Sequence, residues 1–213
     1  MLIRTKLLIA GLAAAVMMLT FVAVAPAGRF RVGEPEYEIK LPLRFEAAGN
    51  NITCRVTQLG RFTERTFAKS QVPRVARIRH TVRGAEAEAC TGGTMTVLNE
   101  TLPWEVGYVS FRGTLPRPSA IRVSMIGVAF RVSNGSITCL AGTTASKPAF
   151  GEFLINSESG ANMGIVEGFR YDETVGIPLG GGFLCELAGE GHLSGTATVT
   201  DLPGLNALRV TLI

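Results

Sequence analysis

Histidine, tryptophan and aspartate are scarce in this chain of 213 residues, which carries two histidines and one tryptophan. The only aspartates are Asp172 and Asp201. Although charged residues make up just 18% of the chain, hydrophobic residues make up 46%, which excludes intrinsic disorder. The sequence has no HExxH zinc motif, no P-loop, no dinucleotide-binding fingerprint and no GxSxG nucleophile elbow. These absences predict no cofactor and no metal site, and they leave little material for acid–base catalysis.

Helical periodicity is also missing after the N-terminal segment, where apolar and polar residues alternate instead. The alternation is clear from Ile39 to Glu46, and Gly, Pro and Asn turns separate the segments that show it. This pattern predicts an all-β fold, either an antiparallel β-sandwich or a barrel-like fold. A change of phase at Met125 and Ile126 predicts a β-bulge there. Trp104 shares a strand face with Val106, which favours a buried core side chain over a sugar-stacking platform.

The N-terminal segment has the composition of a secretory signal peptide. Arg4 and Lys6 precede an uncharged stretch from Leu7 to Ala25, and small residues stand at its end. We expect residues 1–27 to be a signal peptide that is cleaved after Ala27, and residues 28–213 to form the exported domain. The alternative is an uncleaved N-terminal membrane anchor. Because the segment holds two basic and no acidic residues, its removal lowers the net charge from +4 to +2.

The four cysteines all lie in the predicted exported domain: Cys54, Cys90, Cys139 and Cys185. In an oxidising compartment an even number predicts disulfides, and four cysteines allow three connectivities. An Ile-Thr-Cys triplet ends at Cys54 and again at Cys139, and each triplet precedes a second cysteine and a Thr-rich strand. This parallel favours the pairs Cys54–Cys90 and Cys139–Cys185. A metal site is the competing interpretation, but no pair of cysteines has metal-ligand spacing.

The two triplets belong to two longer segments of similar sequence. Phe45 and Phe130 each precede their triplet at the same interval, so that the two copies are offset by 85 residues. This similarity predicts an internal two-fold repeat with halves of about 36–118 and 119–213. These halves would be packed sheets of one domain or two small β domains in tandem.

Six short motifs follow one another along the exported domain: Ile52-Thr53-Cys54, Ala89-Cys90-Thr91, Leu102-Pro103-Trp104, Ile137-Thr138-Cys139, Phe183-Leu184-Cys185 and Ser194-Gly195-Thr196. Their order resembles that of a group of uncharacterised secreted proteins of soil actinobacteria, Thr/Gly-rich β proteins with the same four cysteines. The resemblance covers nearly all of the exported domain. It implies a shared fold and export, and it assigns no catalytic or binding residue.

Charge is distributed unevenly, with basic residues between Arg55 and Arg83 and acidic residues between Glu152 and Glu190. One hypothesis is that the basic stretch binds an anionic cell-wall polymer or a membrane surface. The candidate residues of this basic face are Arg74, Arg77, Arg79 and Arg83. The alternative is a solvated strand face that discourages edge-to-edge aggregation. The stretch has no recognised nucleic-acid-binding motif, so we expect no nucleic-acid partner.

These patterns predict an exported, non-catalytic β protein, structural or binding, that is secreted or associated with the cell envelope. The alternative is a small secreted hydrolase whose site combines dispersed carboxylates with His80 or His192. His80 stands on the apolar face of its predicted strand, which favours a core side chain, whereas the polar face around His192 favours a solvated one. Glu186 and Glu190 are the carboxylate pair that a glycosidase site could use.

Overall fold

The computed structural model describes residues 29–47, 49–68, 77–157, 163–202 and 206–213, and at 68 and 77–80 it describes the backbone alone. The predicted signal peptide, 1–27, lies outside the described residues. Within them, sixteen strands, one α-helix and one turn of 3-10 helix at Asn99–Thr101 account for the regular structure. No helix in this part of the chain is long and apolar enough to cross a bilayer.

The strands are β1 (Arg29–Val32), β2 (Glu36–Ala47), β3 (Asn50–Phe62), β4 (Thr66–Ala68), β5 (Arg77–Thr91), β6 (Thr94–Val97), β7 (Trp104–Thr114), β8 (Arg117–Ile126), β9 (Ala129–Ser133), β10 (Thr138–Gly142), β11 (Ala149–Ser157), β12 (Met163–Tyr171), β13 (Gly176–Gly180), β14 (Glu190–Ser194), β15 (Thr196–Asp201) and β16 (Arg209–Leu212). The helix α1, Phe183–Ala188, lies between β13 and β14.

Eight of these strands close into an antiparallel ring. The order around the ring is β2, β3, β5, β7, β8, β11, β12 and β15, and β15 pairs with both β12 and β2 to complete it. The predicted all-β, barrel-like fold is therefore confirmed. The ring takes four strands from each predicted half, and the two Ile-Thr-Cys triplets occupy different places. The first lies in β3 within the ring, and the second leads into β10 outside it.

Two branches of the same sheet pack across the ends of the ring. Strands β16, β1 and β4 extend from β12, and Phe30 of β1 contacts Phe111 of β7 with ring centroids 5.4 Å apart. Strands β14, β13, β10, β9 and β6 extend from β2. There Phe130 of β9 contacts Trp104 with centroids 5.6 Å apart. Because Trp104 and Phe111 stand near opposite ends of β7, each branch covers one end of the ring.

The inside of the ring is filled by side chains. Alternation in β2 turns Ile39, Leu41 and Leu43 inward, where each is almost fully buried, as period-two patterning requires. The ring of Tyr37 reaches across to Phe153 on β11, with centroids 5.8 Å apart. Further aromatic contacts continue from Phe153 through Phe169 to Tyr171. This packing leaves an apolar cavity of only about 20 Å³ beside Phe153, which is room for about one water molecule.

The predicted disulfides are confirmed. Cys54 is bonded to Cys90, which joins the neighbouring strands β3 and β5. Cys139 is bonded to Cys185, which fastens α1 to β10. The predicted core position of Trp104 is confirmed as well, because its side chain is fully buried and its Nε1 donates a 2.9 Å hydrogen bond to Thr101.

Two local features differ from the sequence predictions. The bulge predicted at Met125 and Ile126 is wrong, because β8 ends at Ile126 and the chain turns through Gly127 into β9. The register shifts between β7 and β8 lie instead between Tyr108 and Ser110 and between Arg112 and Gly113. The change of phase in the sequence therefore marks the end of one strand and the start of another. The helix α1 was not predicted, because its six residues are too few to show helical periodicity.

Candidate functional site

A row of charged side chains crosses four neighbouring strands on the outside of the ring. Glu152 of β11 lies directly opposite Arg122 of β8 and Arg170 of β12. Arg170 in turn lies opposite Thr196 of β15. Inward neighbours such as Phe153 and Phe169 fix which residues point outward, because successive side chains of a strand alternate between its two faces. The sheet register thus places a carboxylate between two guanidinium groups.

Glu152 is the buried member of this row, with only 6% of its side chain exposed. Its Oε2 accepts a 2.9 Å hydrogen bond from Nη2 of Arg170. Nη2 of Arg112, from β7, lies 2.8 Å from Oε1, but the angles do not make a hydrogen bond. Oε1 is therefore a buried carboxylate oxygen that is ion-paired with a guanidinium group but accepts no well-aligned hydrogen bond.

Asp172 follows β12 and forms a second ion pair beside the first. Its Oδ2 accepts a 2.8 Å hydrogen bond from Arg122, whose guanidinium carbon lies 4.9 Å from the ring centre of Phe150. Its Oδ1 accepts hydrogen bonds from the hydroxyl and the backbone N–H of Thr174. Partial burial raises the pKa of Asp172, but the bonds from Thr174 and the charges of Arg122 and Arg112 outweigh burial, so that its pKa is lowered.

Together these groups line an open cleft of about 260 Å³, which we call the arginine–carboxylate cleft. Its lining residues are Arg112, Glu152, Arg170, Tyr171, Asp172, Glu173, Thr174, Gly195 and Thr196. Gly195 separates β14 from β15 with a φ of +147°, and a Cβ at this position would collide with the carbonyl of Pro42. Its own carbonyl accepts a hydrogen bond from the N–H of Tyr171, which holds this wall of the cleft to β12.

The predicted basic face is described only in part. Arg74 lies outside the described residues, and the structure describes the backbone alone at Arg77 and Arg79. Arg83 is exposed on β5. Elsewhere in the basic stretch the register interleaves opposite charges: Arg55 lies opposite Glu88, and Arg61 has its Nε 3.9 Å from Glu36. The anionic-ligand role of the four arginines stays a prediction.

Of the groups proposed for a hydrolase, Glu190 and His192 are neighbours on the exposed face of β14, but each has a different contact. The side chain of His80 lies outside the described residues. His192 is exposed. Its Nδ1 lies 2.9 Å from the backbone carbonyl oxygen of Glu173, which is one of the cleft residues. Glu190 is paired with Lys147 at 2.8 Å, and this contact lowers its pKa. Glu186 is exposed on α1.

Sequence reasoning missed the cluster formed by Arg112, Arg122 and Glu152. One signal was present, since Glu152 is a lone charge within the apolar strand β11, between Phe150 and Phe153. A charge in such a segment requires a partner. The partners could not be identified, however, because they come from strands whose pairing the sequence does not reveal.

Other features of the described residues do not bring polar groups together in the same way. An apolar hollow of about 60 Å³ lies between α1 and β9, lined in part by Leu184, Ile137 and Val132. No group of three or more His, Cys, Asp or Glu side chains in the described part could hold a metal ion. The cysteines are all bonded as disulfides. The arginine–carboxylate cleft is thus the place where polar groups converge.

Comparison with known proteins does not extend this assignment, because no protein-family model, no curated protein and no solved structure matches the chain.

Proposed function

We propose that this chain is an exported, non-catalytic binding protein whose ligand site is the arginine–carboxylate cleft. The observation that carries the proposal is the arrangement of Arg112, Glu152 and Arg170. A buried carboxylate holds two guanidinium groups whose side chains are 59% and 50% exposed. Each guanidinium has five N–H donors in a rigid plane, and one nitrogen of each contacts Glu152. Both arginines line the open cleft.

The filled interior of the ring also favours an external site. Many closed β-sheets bind small ligands inside, but here aromatic side chains such as Tyr37, Phe153 and Phe169 occupy that space. The internal cavity of about 20 Å³ is too small for an organic ligand. The described interior therefore favours a site on the outside of the ring, where the arginine–carboxylate cleft offers polar groups.

Three observations support export. The two disulfides indicate an oxidising, extracellular environment. The N-terminal sequence has the pattern of a signal peptide, and the chain resembles secreted proteins of soil actinobacteria. On this proposal the protein acts outside the cell or at the envelope, and cell-wall polymers are its candidate ligands.

The chemistry of the cleft favours binding over hydrolysis. A glycosidase of the usual two-carboxylate type requires one carboxyl group that is protonated near neutral pH. Glu152 is ion-paired with two guanidinium groups, and the pKa of Asp172 is lowered rather than raised. His192 contacts the backbone of Glu173 and no carboxylate hydrogen bond positions its ring among the described residues. These contacts among the described residues support a binding site more than a two-carboxylate hydrolase.

Cosedimentation of the purified, disulfide-bonded protein with insoluble bacterial cell-wall polysaccharide tests this proposal. The variant Arg112→Ala/Arg170→Ala should bind at least about tenfold more weakly, because it loses charge-assisted hydrogen bonds. The matched control is Arg83→Ala/Arg131→Ala, which removes two exposed arginines outside the cleft and should bind like the wild type.

A third variant guards against misfolding. If the cleft variant unfolds because Glu152 loses its partners, Arg112→Gln/Glu152→Gln/Arg170→Gln removes the buried charge together with both guanidinium groups. It should fold and should also lose binding. Undiminished binding by a folded cleft variant, or a loss confined to the Arg83→Ala/Arg131→Ala control, would refute the proposal.

A further inference from the structure

We infer that the arginine–carboxylate cleft binds a neutral saccharide through neighbouring hydroxyl groups. This inference rests on the proposed function and adds the chemical class of the ligand. Three features support it: the charges that line the cleft, the buried oxygen of Glu152, and the spacing of Glu152, Arg170 and Thr196 across the sheet.

The charges of the lining residues do not favour an anion. Three guanidinium groups, of Arg112, Arg170 and Arg122, which is paired with Asp172, balance three carboxylates, of Glu152, Asp172 and Glu173. An anion such as phosphate would be attracted by the guanidinium groups and repelled by the carboxylates, so the cleft has no surplus of positive charge to hold it. A cation meets the opposite difficulty, since Arg112 and Arg170 flank Glu152 on either side. A neutral ligand avoids both penalties.

Oε1 of Glu152 specifies what the ligand must supply. This oxygen is buried and accepts no hydrogen bond, although Nη2 of Arg112 lies 2.8 Å away. It can accept from a ligand that carries a hydrogen-bond donor. A hydroxyl group has one, and it also has lone pairs that accept from a guanidinium. The exposed guanidinium groups of Arg112 and Arg170, which Glu152 holds at the cleft, can donate to such a hydroxyl.

The row of side chains matches a ligand with several adjacent hydroxyls. Glu152, Arg170 and Thr196 stand opposite one another on consecutive strands, which are about 4.8 Å apart. The row therefore presents a hydrogen-bond acceptor at Glu152, a set of donors at Arg170, and at Thr196 a hydroxyl that can both donate and accept. Hydroxyls on adjacent ring carbons of a sugar can donate to the first and accept from the second at once.

An NMR titration of the isotope-labelled, disulfide-bonded protein tests the inference. The probes are neutral hexasaccharides of glucose, mannose, galactose, xylose and N-acetylglucosamine, with inorganic phosphate and tri-galacturonate as anionic comparisons. At least one neutral probe should shift the amide signals of Glu152, Arg170 and Thr196 saturably, and the anions should not. Both Arg170→Ala and Glu152→Gln should weaken that binding by about tenfold or more, while Arg83→Ala leaves it unchanged.

The outcomes separate the inference from the proposal on which it rests. Saturable shifts at the cleft caused by phosphate or tri-galacturonate alone would overturn the neutral-saccharide class and leave the cleft as the binding site. Shifts confined to β5 around Arg83 would overturn both. If no probe binds, the inference is wrong, and the cosedimentation of the cleft variant decides the proposed function separately.

Discussion

At the scale of single residues, glycines in this sheet make room for aromatic rings on the next strand. Gly60 of β3 lies directly opposite Tyr37 of β2, and the ring of Tyr37 occupies the space in which a Cβ of Gly60 would stand. Gly151 is covered in the same way by Phe169, and Gly191 by Phe45. Such pairs fill the ring with aromatic side chains that neighbouring side chains would otherwise exclude.

The variant Gly60→Ala should therefore lower the free energy of unfolding by about 1–3 kcal/mol, because the added methyl displaces the ring of Tyr37. Gly84→Ala is the matched control, since a Cβ there would meet Leu59 at an ordinary 3.6 Å. The control should change stability by no more than about 0.5 kcal/mol. Urea unfolding of both variants provides the comparison, and equal stabilities would show that Tyr37 moves aside freely.

The buried tyrosines make stability depend on alkaline pH. Burial raises the pKa of Tyr171 to about 12, although the 2.8 Å hydrogen bond donated by Gln58 lowers it, and burial also raises the pKa of Tyr37. In the unfolded chain both hydroxyls ionise near pH 10. Between about pH 10 and pH 12 the folded chain therefore binds more protons than the unfolded chain, so stability falls as the pH rises.

Urea unfolding measured at intervals from about pH 9 to pH 11 should show this loss, up to about 1.4 kcal/mol per pH unit for each tyrosine. Below about pH 10 the contribution should be complete. In Tyr171→Phe the alkaline slope should be smaller, because one of the two ionising groups is gone. A variant whose slope equals that of the wild type would show that Tyr171 does not contribute.

At the scale of elements, α1 depends on its disulfide. A helix of six residues is not stable alone, and three of its large side chains are exposed, Phe183 by 77%, Leu184 by 54% and Leu187 by 72%. Cys185 is its buried residue, and it is bonded to Cys139 of β10. The disulfide thus replaces the apolar packing that would normally hold a short helix on a sheet.

Replacing this disulfide in Cys139→Ser/Cys185→Ser should release α1 and cost about 2–5 kcal/mol of stability. Hydrogen exchange should become fast for the amides of Cys185 and Glu186, which bond to Gly182, while the strands of the ring stay protected. In the control Cys54→Ser/Cys90→Ser, α1 should exchange as in the wild type. Slow exchange of α1 without its disulfide would mean that side-chain packing holds the helix.

The strands also show which features of the structure can be predicted from the sequence. The alternation in β2 predicts both the strand and its buried face, because a period of two is a local property of the chain. The cysteine pairs followed from the repeated triplet. The row through β8, β11 and β12 depends on which strands pair and in what register, and a shift by one residue would turn Glu152 inward. That information is not local, which is why the cleft could not be predicted.

At the scale of the whole molecule, the residues that stabilise the fold and most residues of the proposed site lie in different places. The interior holds the apolar and aromatic core, and the disulfides lie in β3, β5, β10 and α1, away from the cleft. The outer face of β8, β11, β12 and β15 carries the charged row. Substitutions of the exposed cleft arginines can thus change binding without removing core side chains, whereas Glu152 and Tyr171 are cleft residues that are buried.

The proposed function requires that a ligand bind at this outer face and not at the basic stretch. Hydrogen exchange of the wild-type protein, with and without soluble fragments of cell-wall polysaccharide, tests it most directly. The amides of Asp172, Glu173 and Thr174 and of Gly195 and Thr196 should exchange more slowly in the presence of the fragments, because a ligand in the cleft covers both segments. Protection of β5 around Arg83 with no change at the cleft would contradict the claim.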